Sequence, residues 1–151
     1  MSQTLSSQRV ASRPIRALII QPDNTYEVRV IDQTIRTLQS IVGGYIEAVT
    51  TEHCTFWCDE EGKLKERPCN TLATYLWWNL MPEMEGRDVL QGTVFVTGPA
   101  NEAMDSDPVS DAVVELFETI ERIAREARSA VPPESDGTAG TTGSAKPEGG
   151  Q

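Results

Sequence analysis

A chain of 151 residues is long enough for one domain with a real hydrophobic core. Its formal charge of −10, from 13 basic and 23 acidic residues, argues against nonspecific binding to DNA, RNA or anionic membrane, because that attraction is built from lysine and arginine. Its 3 cysteines are an odd number, no apolar run approaches the ~20 residues that span a bilayer, and no apolar stretch follows the charges of the opening MSQTLSSQRVASRPIR, so reduced thiols in a cytoplasmic protein are expected.

The two ends read as unfolded. Residues 1–14 are rich in Ser and Gln, and residues 131–151 run VPPESDGTAGTTGSAKPEGGQ. Neither offers enough apolar surface to offset the entropy of ordering, so both are expected to be disordered. One domain is expected over residues 15–130. Between 17 and 130 there are 9 basic and 20 acidic residues.

Ile15 to Gln21 is a short apolar run closed by the turn cluster Pro22-Asp23-Asn24. Tyr26 to Ile31 alternates, which predicts a second strand and a hairpin across 22–25. Asp32 is read as the N-cap of a helix whose stripe is Ile35, Leu38, Ile41 and Val42. Gly43 ends that helix, since glycine takes a left-handed backbone without a Cβ penalty. Strands follow at Tyr45–Thr51 and His53–Asp59, with Asp59-Glu60-Glu61-Gly62 as a solvated turn and Leu64–Glu66 as a short return strand. Asn70 caps a helix with Leu72, Ala73, Leu76 and Leu80 inside; Pro82 and Gly86 mark its end. Leu90–Thr97 is a strand. Asp107-Pro108 is read as the start of a long amphipathic C-terminal helix. The order ββαββαβα predicts an α+β fold: a mostly antiparallel sheet with the helices on one face.

Four short motifs occur in sequence: Val42-Gly43-Gly44-Tyr45-Ile46-Glu47, Cys58-Asp59-Glu60-Glu61-Gly62-Lys63-Leu64, Pro68-Cys69-Asn70 with Ala73-Thr74, and Gly92-Thr93-Val94-Phe95-Val96-Thr97-Gly98. This order resembles a family of small uncharacterised domains carried by phages, plasmids and actinobacterial genomes, a domain of unknown function. The resemblance covers about residues 15–100 and leaves the final helix outside. It implies a cytoplasmic protein of mobile-element type and transfers no catalytic residue.

Chemistry-bearing residues are few. His53, Cys54, Cys58 and Cys69 are ligand types that zinc accepts, but Cys54 and Cys58 lie about 13 Å apart along a strand. Buried structural thiols are the preferred reading, and no metal or cofactor is expected. A cysteine nucleophile would need Cys69, with His53 and Glu47 as the only available cast. Glu47 sits in a strand where a half-buried acid needs a partner, and Arg29 is the candidate.

The aromatics carry the strongest binding signal. Tyr75, Trp77 and Trp78 share a helix that already has a core stripe, so at least one tryptophan is expected to leave it. Tryptophan is enriched at interface cores. The expectation is a non-enzymatic binding protein that uses Tyr75, Trp77 and Trp78 to hold a protein partner or a copy of itself. The alternative is a small-ligand or nucleotide-derivative binder, with a pocket between the helix at Asn70 and the strand ends near Glu47, Trp57 and Gly98.

Overall fold

The computed structural model describes residues 14–101 and 105–130; the expected disordered ends lie outside them, apart from Pro14. The chain divides into two compact units, Met1–Ile120 and Glu121–Gln151. The first holds the sheet. Its elements are β1 (Ile15–Ile20), β2 (Tyr26–Ile31), α1 (Ile35–Val42), β3 (Ile46–Thr50), β4 (Thr55–Asp59), α2 (Thr71–Leu80), a 3-10 turn (Pro82–Met84), β5 (Val94–Thr97) and the start of α3 (Asp111–Ala130). In the second unit, Arg125 donates to Glu121 one helical turn earlier, and that cation holds the Glu121 carboxyl below its ordinary range.

The five strands form one antiparallel sheet in the order β2-β1-β5-β4-β3. The last strand in sequence is thus the middle strand in space. The fold is α+β, as the element order implies. Register then assigns the faces. Ile15, Ala17, Ile19, Phe95 and Trp57 share one face and pack with Leu38 and Val42 of α1. Leu18, Ile20, Val94, Val96 and Phe56 point the other way. On that second face Tyr26 meets Phe117 of α3 edge-on at 4.8 Å, and Trp77 of α2 lines a cleft with Glu47, Val49 and Cys58. The helices therefore divide between the two faces instead of gathering on one. The reason is that the inner strands β1, β5 and β4 are apolar on both sides and need cover twice.

Several local expectations are revised. Thr34, not Asp32, caps α1: its Oγ1 accepts the Thr37 N–H at 3.0 Å. Gly43 does close the helix, at φ 82°, its N–H donating to Gln39 O at 2.8 Å. Residues 60–66 are turns, so no return strand forms at Leu64–Glu66. The strand read at Leu90–Thr97 is confined to Val94–Thr97, and Gln91 makes only a single bridge to Cys69. Asp107 does not start α3. Its N–H donates to Pro99 O at 3.0 Å and its carbonyl accepts from Gly98 at 2.8 Å, which holds it extended. Ser110 caps the helix instead, accepting the Val113 N–H at 3.1 Å.

Candidate functional site

Helix α2 is fixed by polar residues at four-residue steps, which place them on one helical face. The Asn70 side chain caps the helix at Ala73 and donates to Ile20 O at 2.9 Å and Gly92 O at 2.8 Å. Thr74 Oγ1 accepts the Leu90 N–H at 2.9 Å. Trp78 Nε1 donates to Asp88 O at 2.9 Å. Together they tie α2 to the segment 88–92. Asn70 is completely buried, with all three of its side-chain bonds to backbone, so it holds the fold and is not open to a ligand. The spacing 70, 74, 78 was visible in the sequence as polar tips along one helical face.

The adjacent tryptophan is treated differently. Trp77 is 4% exposed and its Nε1 has no hydrogen-bond partner among the described residues. It lines a cleft of about 310 Å³ walled by Glu47, Val49 and Cys58 from β3 and β4, and by Lys63, Asp88 and Leu90 from the following loops. Asn24 Oδ1 and Thr55 Oγ1 are also buried without partners among the described residues, but neither residue lines this cleft. Lys63 is held at the rim by Asp88 at 3.0 Å and by Val89 O at 3.1 Å. The Asp88 carboxyl is lowered: burial pushes it up, but Lys63 and the Val89 N–H outweigh that. Cys58 Sγ lies 3.9 Å from Glu47 O. Its thiol is pushed up to about 11, first by burial and then by the Glu47 charge.

Glu47 corrects an expectation. It is exposed on β3, an edge strand, and Arg29 lies on β2 at the opposite edge of the sheet. The expected ion pair is therefore excluded by strand order. Arg29 pairs instead with Glu27 at 3.4 Å. Trp57 is buried on the α1 face, stacked on Phe95 at 5.9 Å, with Nε1 donating to Thr97 Oγ1 at 2.9 Å. It lies on the far side of the sheet from the cleft and is a core residue. Tyr75 is 40% exposed and stands 6.1 Å from Trp78, where Asn79, Pro82 and Glu85 complete an open depression. Of the residues proposed from sequence, the cleft thus gathers Glu47 and Trp77; the depression gathers Tyr75 and Trp78.

The cysteines do not converge. Cys54 and Cys58 are buried, Cys69 is exposed, and His53 is exposed in the β3–β4 turn. Among the described residues no three His, Cys, Asp or Glu side chains come together to hold a metal. The Cys54 thiol is also pushed up to about 11, chiefly by burial. Neither buried cysteine is tuned toward a thiolate.

A second polar cluster was missed in the sequence. The Asp59 side chain is fully buried and receives Lys65 Nζ at 2.9 Å, Arg67 Nε at 2.7 Å and the Glu61 N–H at 2.9 Å. Burial raises its pKa, but the Glu61 N–H and the two cations prevail and hold it below the ordinary carboxylate range. Arg67 reaches on to Gly43 O at 2.9 Å. A Cβ on Gly44 would stand 2.7 Å from Asp59 Oδ1 and from Lys65 Nζ, and one on Gly92 would stand 2.8 Å from Arg67 Cδ. The Gly-Gly break, the Cys-Asp-Glu-Glu-Gly turn and the glycine before β5 thus meet at one ion-pair knot.

The family model for the domain of unknown function DUF3846 matches residues 15–122. The chain belongs to the DUF3846 family. The match extends past the region recognised by motif and enters α3. The knot and the cleft both fall inside the DUF3846 region. No curated protein and no solved structure matches the chain. No helix among the described residues is long and apolar enough to cross a membrane.

Proposed function

We propose that this DUF3846 chain is a cytoplasmic, non-enzymatic binding domain that holds a small molecule in the cleft between α2 and the β3–β4 edge. One observation carries the reading: Trp77 lines the cleft, and its buried indole N–H has no acceptor among the described residues. A buried donor left unmade costs about 1–3 kcal/mol, and folded proteins leave few of them. A ligand acceptor would recover that energy. The cleft volume of about 310 Å³ is at the small end of ligand sites. The raised thiols of Cys54 and Cys58 speak against cysteine nucleophiles, and Cys69 and His53 do not line the cleft. A mobile-element origin, as the sequence resemblance implies, fits a small accessory binder.

The test is native mass spectrometry of the full chain purified gently from its own host. The expected result is an added mass of a few hundred daltons that disappears in Val49→Phe, which fills the cleft from an edge strand. The bare chain mass in every preparation, together with no thermal stabilisation across a metabolite panel, would remove the reading.

A second reading rests on the Tyr75/Trp78 depression, which places two aromatic rings at the surface beside Pro82. Here the chain binds a protein or its own copy. Sedimentation equilibrium should then show concentration-dependent mass that Tyr75→Ala abolishes. A monomer at all concentrations would eliminate self-association.

A further inference from the structure

We propose that the ligand of the α2 cleft is a small organic cation that also carries an uncharged hydrogen-bond acceptor, the acceptor meeting Trp77 Nε1–H and the cation meeting Glu47. This deepens the small-molecule reading and rests on it. The two contacts come from opposite walls. Glu47 pairs in register with Cys58 on the sheet, and Trp77 faces that sheet from α2.

The acceptor follows from the indole. It can only donate, and among the described protein atoms nothing accepts. The sign of the charge follows from the lining. Glu47, Asp59, Glu60 and Asp88 are carboxylates, Asp59 being already paired with Lys65 and Arg67; among the described residues the cleft is lined by one cation, Lys63, which is engaged by Asp88 and by Val89 O. Glu47 and Glu60 have no ion-pair partner among the described residues. The raised Cys58 thiol senses the same field, with Glu47, Asp59 and Asp88 all adding to the effect of burial against Lys63 alone. An anionic ligand would enter against four lining carboxylates, and among the described residues no lining cation is free to receive it. The overall charge of −10 draws cations to the surface from a distance. A metal ion does not suit the cleft, since no three ligating side chains converge there among the described residues. An ammonium on an organic frame needs only one carboxylate and leaves the rest of the molecule to Val49 and Leu90.

The test follows the three indole N–H resonances of the full-length, 15N-labelled protein, with Trp77 assigned through Trp77→Phe. Trp57 and Trp78 serve as controls because their N–H groups already have acceptors. The probes are 5-aminopentanamide, with both groups; pentanamide, with the acceptor only; pentylamine, with the cation only; and glutaramate, the anionic counterpart. The expected result is a saturable shift of the Trp77 resonance with 5-aminopentanamide while Trp57 and Trp78 stay in place. Losing the acceptor should weaken binding about tenfold, the scale of a buried hydrogen bond. Losing the ammonium should weaken it about threefold, the scale of a solvent-exposed ion pair. Glu47→Gln should erase the difference between 5-aminopentanamide and pentanamide. Equal binding of those two probes by the unaltered protein, or tighter binding of glutaramate, would overturn the cation inference and leave the cleft as a site. A Trp77 resonance that no probe moves would overturn the cleft reading as well.

Discussion

On the α1 side of the sheet the Asp59 carboxylate is fully buried and receives two cations and a backbone N–H. On the α2 side the Trp77 indole N–H is buried and, among the described residues, finds no acceptor. Both groups arrive from regular elements, β4 and α2. The difference lies in what surrounds them. Asp59 finds its partners Glu61, Lys65 and Arg67 within eight residues along the chain. Trp77 lines a cleft, and no acceptor among the described residues reaches its N–H. A buried polar group with every partner in place stabilises and specifies a fold. One with a cleft beside it is the place to look for a ligand.

The largest effect expected from breaking this contrast is at Asp59. Asp59→Asn leaves Lys65 and Arg67 without a countercharge, and the loss should be about 3 kcal/mol by urea unfolding, the low end for a broken buried pair because both cations touch water. The acid limb should change with it. The folded Asp59 pKa is depressed, so its stabilisation is fully present above the ordinary carboxylate value near pH 4 and is lost as pH falls through the folded pKa. The variant should therefore show a flatter decline in stability below that value. An unchanged acid limb would mean that the carboxylate is not ionised in the fold.

Next comes Gly44→Ala, whose Cβ would crowd Asp59 Oδ1 and Lys65 Nζ at 2.7 Å. About 2 kcal/mol should be lost in the same unfolding assay, within the range for overpacking. The added loss should shrink when Gly44→Ala is made on an Asp59→Asn background, because the two changes strike the same contact.

The two buried tryptophans give a finer comparison. Trp57→Phe removes a hydrogen bond to Thr97 as well as packing, and about 2 kcal/mol should be lost. Trp77→Phe removes packing together with an unmet donor. These oppose each other, and its stability should stay within about 1 kcal/mol of the unaltered protein. Calorimetric melting of the pair decides it. Equal losses would mean that Trp77 has an acceptor in solution. The smallest effect is in thiol labelling at neutral pH. Cys69 should react promptly and Cys54 and Cys58 only on unfolding, as a mass count of the labelled native protein would show.

What could be read ahead of the structure follows from range. Element types are local, and the ββαββαβα order, the Asn70 cap and the Gly43 stop were all legible. Strand order is not local. Glu47 and Arg29 look like partners along a chain of neighbouring hairpins, and β5 separates them by entering the middle of the sheet. Division of the helices between the faces was missed for a related reason: alternation in β1 and β4 is masked because both faces are apolar. Asp59 was read as part of a solvated acidic turn, since the sequence does not reveal that Lys65 and Arg67 fold back over it. Trp77 and Trp78 were rightly separated by their angle on the helix. Which of them would keep a free donor depended on segment 88–92, whose carbonyl at Asp88 happens to fall under Trp78.

The central place of β5 has a consequence for how the protein is made. Until residue 97 has been synthesised, β1–β2 and β3–β4 can exist only as two separate hairpins, each with an apolar inner strand and no ladder between them. Two-stranded hairpins are marginal in water, and open apolar edges invite pairing with other chains. The nascent protein thus waits with two unfinished seams until a strand of four residues, Val94–Thr97, closes both at once. A nascent chain with β4 free and β5 still enclosed by the ribosome would be suited to chaperone capture, and emergence of β5 would remove the interior edges.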